Sequence, residues 1–230
     1  MHVPDGFLDA ATSIGTAVVA TAGIAVALRG ARRELDDRTA PMAGLVAAFV
    51  FAAQMLNFPV GAGTSGHLLG GALAAVLVGP YTGALCLAVV LLVQALLFAD
   101  GGITALGTNV TLFSVVAVGV GWLVFRGLQR VLPKRLSMVP VAAAVAALVS
   151  VPAAALVFVG LFAIGGQAPV PLGAVATAML GWHLLIGVGE AVITGLVVSS
   201  VVAVRPDLVY GARPVLPTRP LVIRPGVVTG

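Results

Sequence analysis

Charge is what this sequence has least of. Only 9% of its 230 residues are Asp, Glu, Lys or Arg, while 60% are hydrophobic. A soluble globular domain carries about 25% charged residues. Mean hydropathy is +1.15. Too few polar side chains exist to coat a water-soluble fold, which excludes a soluble enzyme, a nucleic-acid binder and a disordered segment. Cysteine is nearly missing as well. Cys86 stands alone in an apolar run, so neither an intrachain disulfide nor a CxxC metal site can form. Glycine and proline are plentiful, at 29 and 14, but no Gly-X-Y period runs through them, and collagen is excluded. There is no GxxxxGK[ST] pattern, so the chain is not expected to hydrolyse ATP. Nor does it show an internal repeat of the kind that builds inverted-repeat transporters.

What is there is apolar sequence punctuated by basic clusters. All 12 basic residues fall in three groups: Arg29, Arg32, Arg33 and Arg38; Arg126, Arg130, Lys134 and Arg135; and Arg205, Arg213, Arg219 and Arg224. The net charge of +4 therefore sits in loops rather than on a nucleic-acid-binding face. Asp5, Asp9 and Asp100 fall in the intervening connections. Lys and Arg mark cytoplasmic loops. With all three groups inside, the N-terminus is outside, the C-terminus is cytoplasmic, and the number of spans is odd. The length holds roughly six to eight spans of about 20 residues. The apolar pattern gives about seven, near 10–29, 41–57, 67–79, 81–98, 108–126, 138–164 and 178–204. The expected fold is thus an all-α integral membrane protein. Residues 1–204 form its transmembrane domain, and 205–230 form a cytoplasmic Pro/Arg-rich tail expected to be poorly ordered. Asn57 to Gly66, rich in Gly and small polar residues, reads as an outer loop. Thr12, Thr16, Ala20 and Gly23, Ala27, Ala31 form small-xxx-small stripes on the first span. Such stripes admit a close helix, either within the bundle or from a partner.

The chain begins Met1-His2-Val3-Pro4-Asp5-Gly6-Phe7. No basic residue precedes the apolar run, unlike a signal peptide. The segment is therefore expected to be retained, with Met1 kept because His2 is bulky. A free amine on Met1, the His2 amide nitrogen and His2 Nδ1 can close two chelate rings in one plane. Such a nitrogen field suits Ni(II), Cu(II) or Co(II), and a fourth nitrogen would complete the square. The amine must be deprotonated to bind, and its ordinary pKa is about 7.7–8, so acid is expected to weaken binding.

The other histidines are His67 and His183. His67 follows the glycine-rich Gly61-Ala62-Gly63-Thr64-Ser65-Gly66, where the backbone can fold close to a ligand. His183 lies seven residues before Glu190, on the same helical face. Glu190 reads as the one acidic residue inside a span, and an intramembrane carboxyl is a functional candidate by default. Three roles stay open for the pair: a structural hydrogen bond between helices, direct ligation of a metal, or support of another histidine that ligates one.

Several stretches resemble the CbiM/NikM family. They are the Met1–Phe7 start, Gln54-Met55-Leu56-Asn57-Phe58-Pro59, and Gly63-Thr64-Ser65-Gly66-His67-Leu68-Leu69-Gly70. Leu92-Val93-Gln94-Ala95-Leu96 and Asp100-Gly101-Gly102 with Ala105-Leu106-Gly107 match as well. The similarity covers nearly all of residues 1–207. These proteins are the metal-binding membrane components of cobalt/nickel energy-coupling-factor transporters. The resemblance implies that the N-terminus inserts into a seven-helix bundle and holds one ion. It supplies His67 as the fourth donor beside Met1 and His2, with Asn57, Ser65, His183 and Glu190 in support. It also implies a small N-type membrane subunit, a T-type coupling membrane subunit and a cytoplasmic ABC ATPase pair as partners, in the lipid bilayer of a prokaryotic plasma membrane. No nucleic acid takes part. No cofactor is implied, since Co2+ or Ni2+ is cargo and ATP belongs to the partners. One departure from the family pattern is Leu112, where many relatives carry a second Asn three residues after Asn109. Two rival readings remain: an intramembrane serine protease using Ser65 of a GxSG pattern with His183 as base, and a stand-alone metal permease.

Overall fold

The structure is a computed structural model, in which residues 1–35, 39–61 and 64–216 are described. Its helices are α1 (Ala10–Glu34), α2 (Thr39–Gln54), α3 (Gly71–Val78), α4 (Pro80–Leu97), α5 (Leu106–Val131), α6 (Met138–Gly165) and α7 (Leu172–Val204). Among the described residues, α1, α4, α5, α6 and α7 are long and apolar enough to cross a membrane. The chain is a mostly helical, multi-pass membrane protein. Two further apolar helices are shorter than a span, α2 with 16 residues and α3 with only eight. Large apolar side chains such as Ile14, Leu123, Leu185 and Leu196 are exposed on the bundle surface, as lipid-facing positions require.

The eight-residue α3 is buried throughout. It can be, because small residues let its neighbours come close. A Cβ on Gly71 would lie 2.9 Å from the Ala117 backbone of α5, and one on Gly83 of α4 would lie 3.0 Å from Ala74. Gly79, at φ +96°, breaks α3 from α4, and Pro80 opens the new helix, where its missing N–H costs nothing. Glu34, the last residue of α1, caps this start by accepting from Thr82 N at 2.7 Å and Tyr81 N at 3.3 Å. Glu34 is only 3% exposed, so Glu190 is not the sole buried carboxylate of the spans.

The stripe on α1 packs inside the chain. Thr16, Ala20, Ala27 and Ala31 are buried, and Gly107 of α5 sits against Ala17. Thr16 and Thr108 share a 2.7 Å hydrogen bond, and Thr111 Oγ1 donates to the Thr16 carbonyl. An alanine face of α6 (Ala142, Ala143, Ala146, Ala147, Ala154, Ala155) is fully buried in a bundle whose most extensive pairing is α6 with α7.

Two expectations need correction. The stretch read as an outer loop holds an antiparallel hairpin, β1 (Phe58–Gly61) and β2 (Thr64–Gly66). The tail is not poorly ordered from Arg205 onward. Pro206–Leu208 and Tyr210–Val215 form 3-10 turns, and Val209 and Ala212 are fully buried. Gly211 packs against Phe125 and Val76 and seats the segment on the bundle. Residues 217–230, with Arg219 and Arg224, lie outside the described residues, as does Arg38.

Candidate metal centre

Residues 1–9 form the plug of the site. Met1, Val3, Phe7 and Leu8 are all 6% exposed or less. The insertion is held by polar contacts as well as by burial. Asn109 of α5 brackets Val3, its Oδ1 accepting from Val3 N at 2.8 Å and its Nδ2 donating to the Val3 carbonyl at 3.1 Å. Gly102 N donates to the same carbonyl. The Asp5 carboxylate accepts from the backbone and hydroxyl of Thr104, and these bonds hold it below the usual carboxylate range. Phe7 stacks on Phe158 and lies tilted against Phe162, both of α6. Asp9 accepts from Thr12 N and so caps α1, an N-cap residue of the preferred kind. The Asp100-Gly101-Gly102 turn wraps this segment. A Cβ on Gly102 would collide with Asp5 N, and Gly101 carries φ +92° against Asn109 and His2.

Three rings meet at the tip of the plug. The His2 and His67 imidazoles stack with centroids 4.3 Å apart, and Phe113 stacks on His2 at 5.3 Å and on His67 at 5.5 Å. Phe113 lies in a π-helical stretch of α5, Thr111–Ala117. Such irregular turns are frequent at functional sites. His67 Nδ1 donates to the Leu68 carbonyl at 2.8 Å. That bond fixes the neutral tautomer and leaves a lone pair on Nε2, a buried atom with no hydrogen-bond partner. The loop carrying His67 is itself pinned. Glu190 accepts from Leu69 N at 2.7 Å and Gly70 N at 2.9 Å, while Gln54 donates to the Leu69 carbonyl at 2.7 Å.

Electrically the site favours neutral nitrogen. Burial lowers the Met1 amine from 8.0 to about 4, against the opposing pull of Asp100. Burial likewise lowers the His2 ring. Asp100 lies 3.0 Å from His2 Nδ1, an ion-pair distance, but the angle makes no hydrogen bond. Burial pushes the Asp100 carboxyl up; His2, the amine and Asn57 together outweigh it and hold it below its ordinary value. Neither His2 ring nitrogen nor either amide atom of the fully buried Gln94 has a hydrogen-bond partner. Among the described residues, no three His, Cys, Asp or Glu side chains are grouped to hold a metal.

The sequence profile of the cobalt uptake substrate-specific transmembrane region, CbiM, matches residues 2–208. The chain belongs to the CbiM family. A Haloquadratum walsbyi protein named for metal transport is 41% identical over 214 residues, covering 91% of this chain and 94% of that one. The fused nickel transport protein NikMN of Rhodobacter capsulatus is 34% identical over 240 residues, 99% of this chain and 69% of its own. A crystal structure of a truncated transition metal transporter superposes with a TM-score of 0.81 at 31% identity, covering 88% of this chain and 99% of that one. CbiM relatives are named as cobalt and nickel transport proteins, and the family is not an enzyme family.

Within this CbiM fold the expected site residues are placed unequally. Met1, His2 and His67 come together. Asn57 is exposed at the rim and donates to Asp100 at 3.4 Å. The Ser65 backbone pairs with Pro59, and its side chain lies outside the described residues. His183 is buried, with Nδ1 bound to the Met179 carbonyl at 2.7 Å and Nε2 unpartnered. Glu190 serves the His67 loop rather than His183. Sequence reasoning gave no role to Gln94, Asp100, Asn109 or Phe113. Gln94 could have been found, since a polar amide inside an apolar span calls for a partner.

Proposed function

We propose that this chain captures a Co2+ or Ni2+ ion as the substrate-binding membrane component of an energy-coupling-factor importer. The observation that carries the reading is the buried N-terminus meeting two stacked imidazoles whose lone pairs are unclaimed. The ligands would be the Met1 amine, the His2 amide nitrogen and Nδ1, and His67 Nε2. Four nitrogens of this kind suit tetragonal late first-row ions. The chelate would take His2 Nδ1 from its contact with Asp100, leaving that carboxylate as an anion beside the bound cation. Asn57, Ser65, His183 and Glu190 would orient the donors, Glu190 through the backbone of the His67 loop. The site lies at the end of the bundle opposite the basic clusters, so an ion would enter from outside a prokaryotic plasma membrane. Import would then rely on a small N-type subunit, a T-type coupling subunit and an ABC ATPase pair.

Calorimetric titration with Ni(II) tests the ligand set. The purified chain starting at Met1 should bind one ion tightly, and either one extra residue before Met1 or His67→Ala should abolish tight binding. Unchanged affinity in the extended chain would refute the chelate.

A further inference from the structure

The opposite end of the bundle carries a second site. Arg126, Arg130 and Lys134 succeed one another at four-residue intervals along the end of α5 and into the loop beyond it. With Gln129, Pro214 and Val215 they line a cavity of about 300 Å³. Arg126 is braced without being neutralised. Its Nη1 donates to Gln129 Oε1 at 3.0 Å, and its guanidinium lies 5.7 Å over the Trp122 ring. Gln129 in turn donates to the Gly211 carbonyl at 2.6 Å, so the ordered segment after α7 closes the cavity wall.

Among the described residues, the carboxylates at this end are engaged elsewhere. Glu34 holds the start of α4, and Asp207 pairs with Arg205 at 2.8 Å. Like charges four residues apart repel, and among the described residues this row has no acidic neighbour lining its cavity. An anion would remove the repulsion. The neighbouring cleft says which kind. It shares Gln129, Lys134 and Val215 with the cavity but is walled by Leu132, Met138 and Val139. Leu123 and Val131, exposed on α5, continue the apolar surface. Cations beside an apolar cleft at the end of a span match an amphiphile with a phosphate head. Trp122 and Tyr210, 5.6 Å apart, are residue types that favour the headgroup level.

We propose that Arg126, Arg130 and Lys134 bind the phosphodiester headgroup of an anionic membrane lipid. This site stands apart from the metal reading and does not depend on it.

The test uses the full-length protein in detergent. Lipid retention is read by native mass spectrometry and thermal stability by a melting curve, with phosphatidylglycerol, phosphatidylcholine or inorganic phosphate added. Phosphatidylglycerol should be retained and should raise the melting temperature; the other two should do neither. The Arg130→Ala/Lys134→Ala double variant removes two exposed side chains and should fold. It should lose retention by about fivefold for each cation removed. Arg32→Ala/Arg33→Ala removes the same charge from the end of α1 and should retain lipid like the wild type. Four results would overturn the proposal: equal retention of phosphatidylcholine, an equal shift with inorganic phosphate, an unaffected Arg130/Lys134 variant, or an equal loss in the Arg32/Arg33 variant.

Discussion

At the scale of single residues, the decisive feature is an amine that has lost its water. A terminal amine in solution would hold a proton near neutrality, and a metal would have to displace it. Burial at Met1 moves that proton's pKa from 8.0 to about 4. The sign follows from linkage: between those values the unfolded chain binds a proton that the folded chain does not. The plug therefore loses stability as pH falls from 8 toward 4, yet the folded amine needs no deprotonation at pH 7. The weakening by acid expected from the ordinary amine pKa thus moves to lower pH. Both partner imidazoles are also available as neutral bases, since burial lowers the His2 ring and holds the His67 ring well below its ordinary value, against the opposing pull of the Leu68 carbonyl. Ni(II) binding at pH 7 should therefore release about one proton per ion, from the His2 amide, instead of two. Calorimetry in buffers of different ionisation enthalpy counts them. A release near two would mean the amine stays charged in the fold.

At the scale of elements, the site depends on how the His67 loop is tied to α2 and α7. Both Glu190 oxygens accept from backbone N–H groups at the start of α3, and Gln54 donates to the carbonyl between them. Glu190→Gln replaces one acceptor with an NH2 that faces a backbone donor. Leaving a buried N–H unsatisfied costs about 1–3 kcal/mol, so Ni(II) affinity should fall roughly tenfold or more. The conservative Glu190→Asp should recover part of it if the carboxylate matters as an acceptor. Loss of melting temperature with unchanged nickel affinity would show that the clamp serves the bundle and not the site. This tie was half legible in the sequence. An acidic residue in an apolar span announces a buried role, but seven residues of spacing pointed it at His183. Its true partners are main-chain groups 121 and 120 residues away, and backbone donors leave no trace in side-chain patterns. The hairpin and the π-helical stretch were invisible for a related reason. Glycine-rich and evenly apolar segments carry too little periodicity to fix their register.

At the scale of the molecule, charge distribution and apolar periodicity described the architecture well. The described members of all three basic groups gather at one end: Arg213 lies near Glu34 at the end of α1, and Gly211 packs on Phe125 of α5. The N-terminal plug, the Asp100 turn and the His67 loop occupy the other end. Among the described residues, the apolar runs fall on five helices of membrane length and two shorter ones, and α7 begins earlier than expected. Composition misled only at the tail, where Pro and Arg masked Val209 and Ala212. Gly211, between them in the chain, lies against Phe125 and Val76, so the segment after Arg205 is part of the core's lid. Uncovering a buried valine-sized side chain costs about 1.5–3 kcal/mol. A chain ending at Arg205 should therefore melt several degrees lower while still binding one nickel ion, because the described part of the removed segment packs on α3, α5 and α7, at the end away from the plug. Its lipid retention should fall as well, since Pro214 and Val215 line that cavity. Melting curves and nickel titrations on the same preparation separate the two ends. Loss of the nickel site on removing this segment would mean that the bundle transmits packing from one end to the other, and the independence of the two sites would fail.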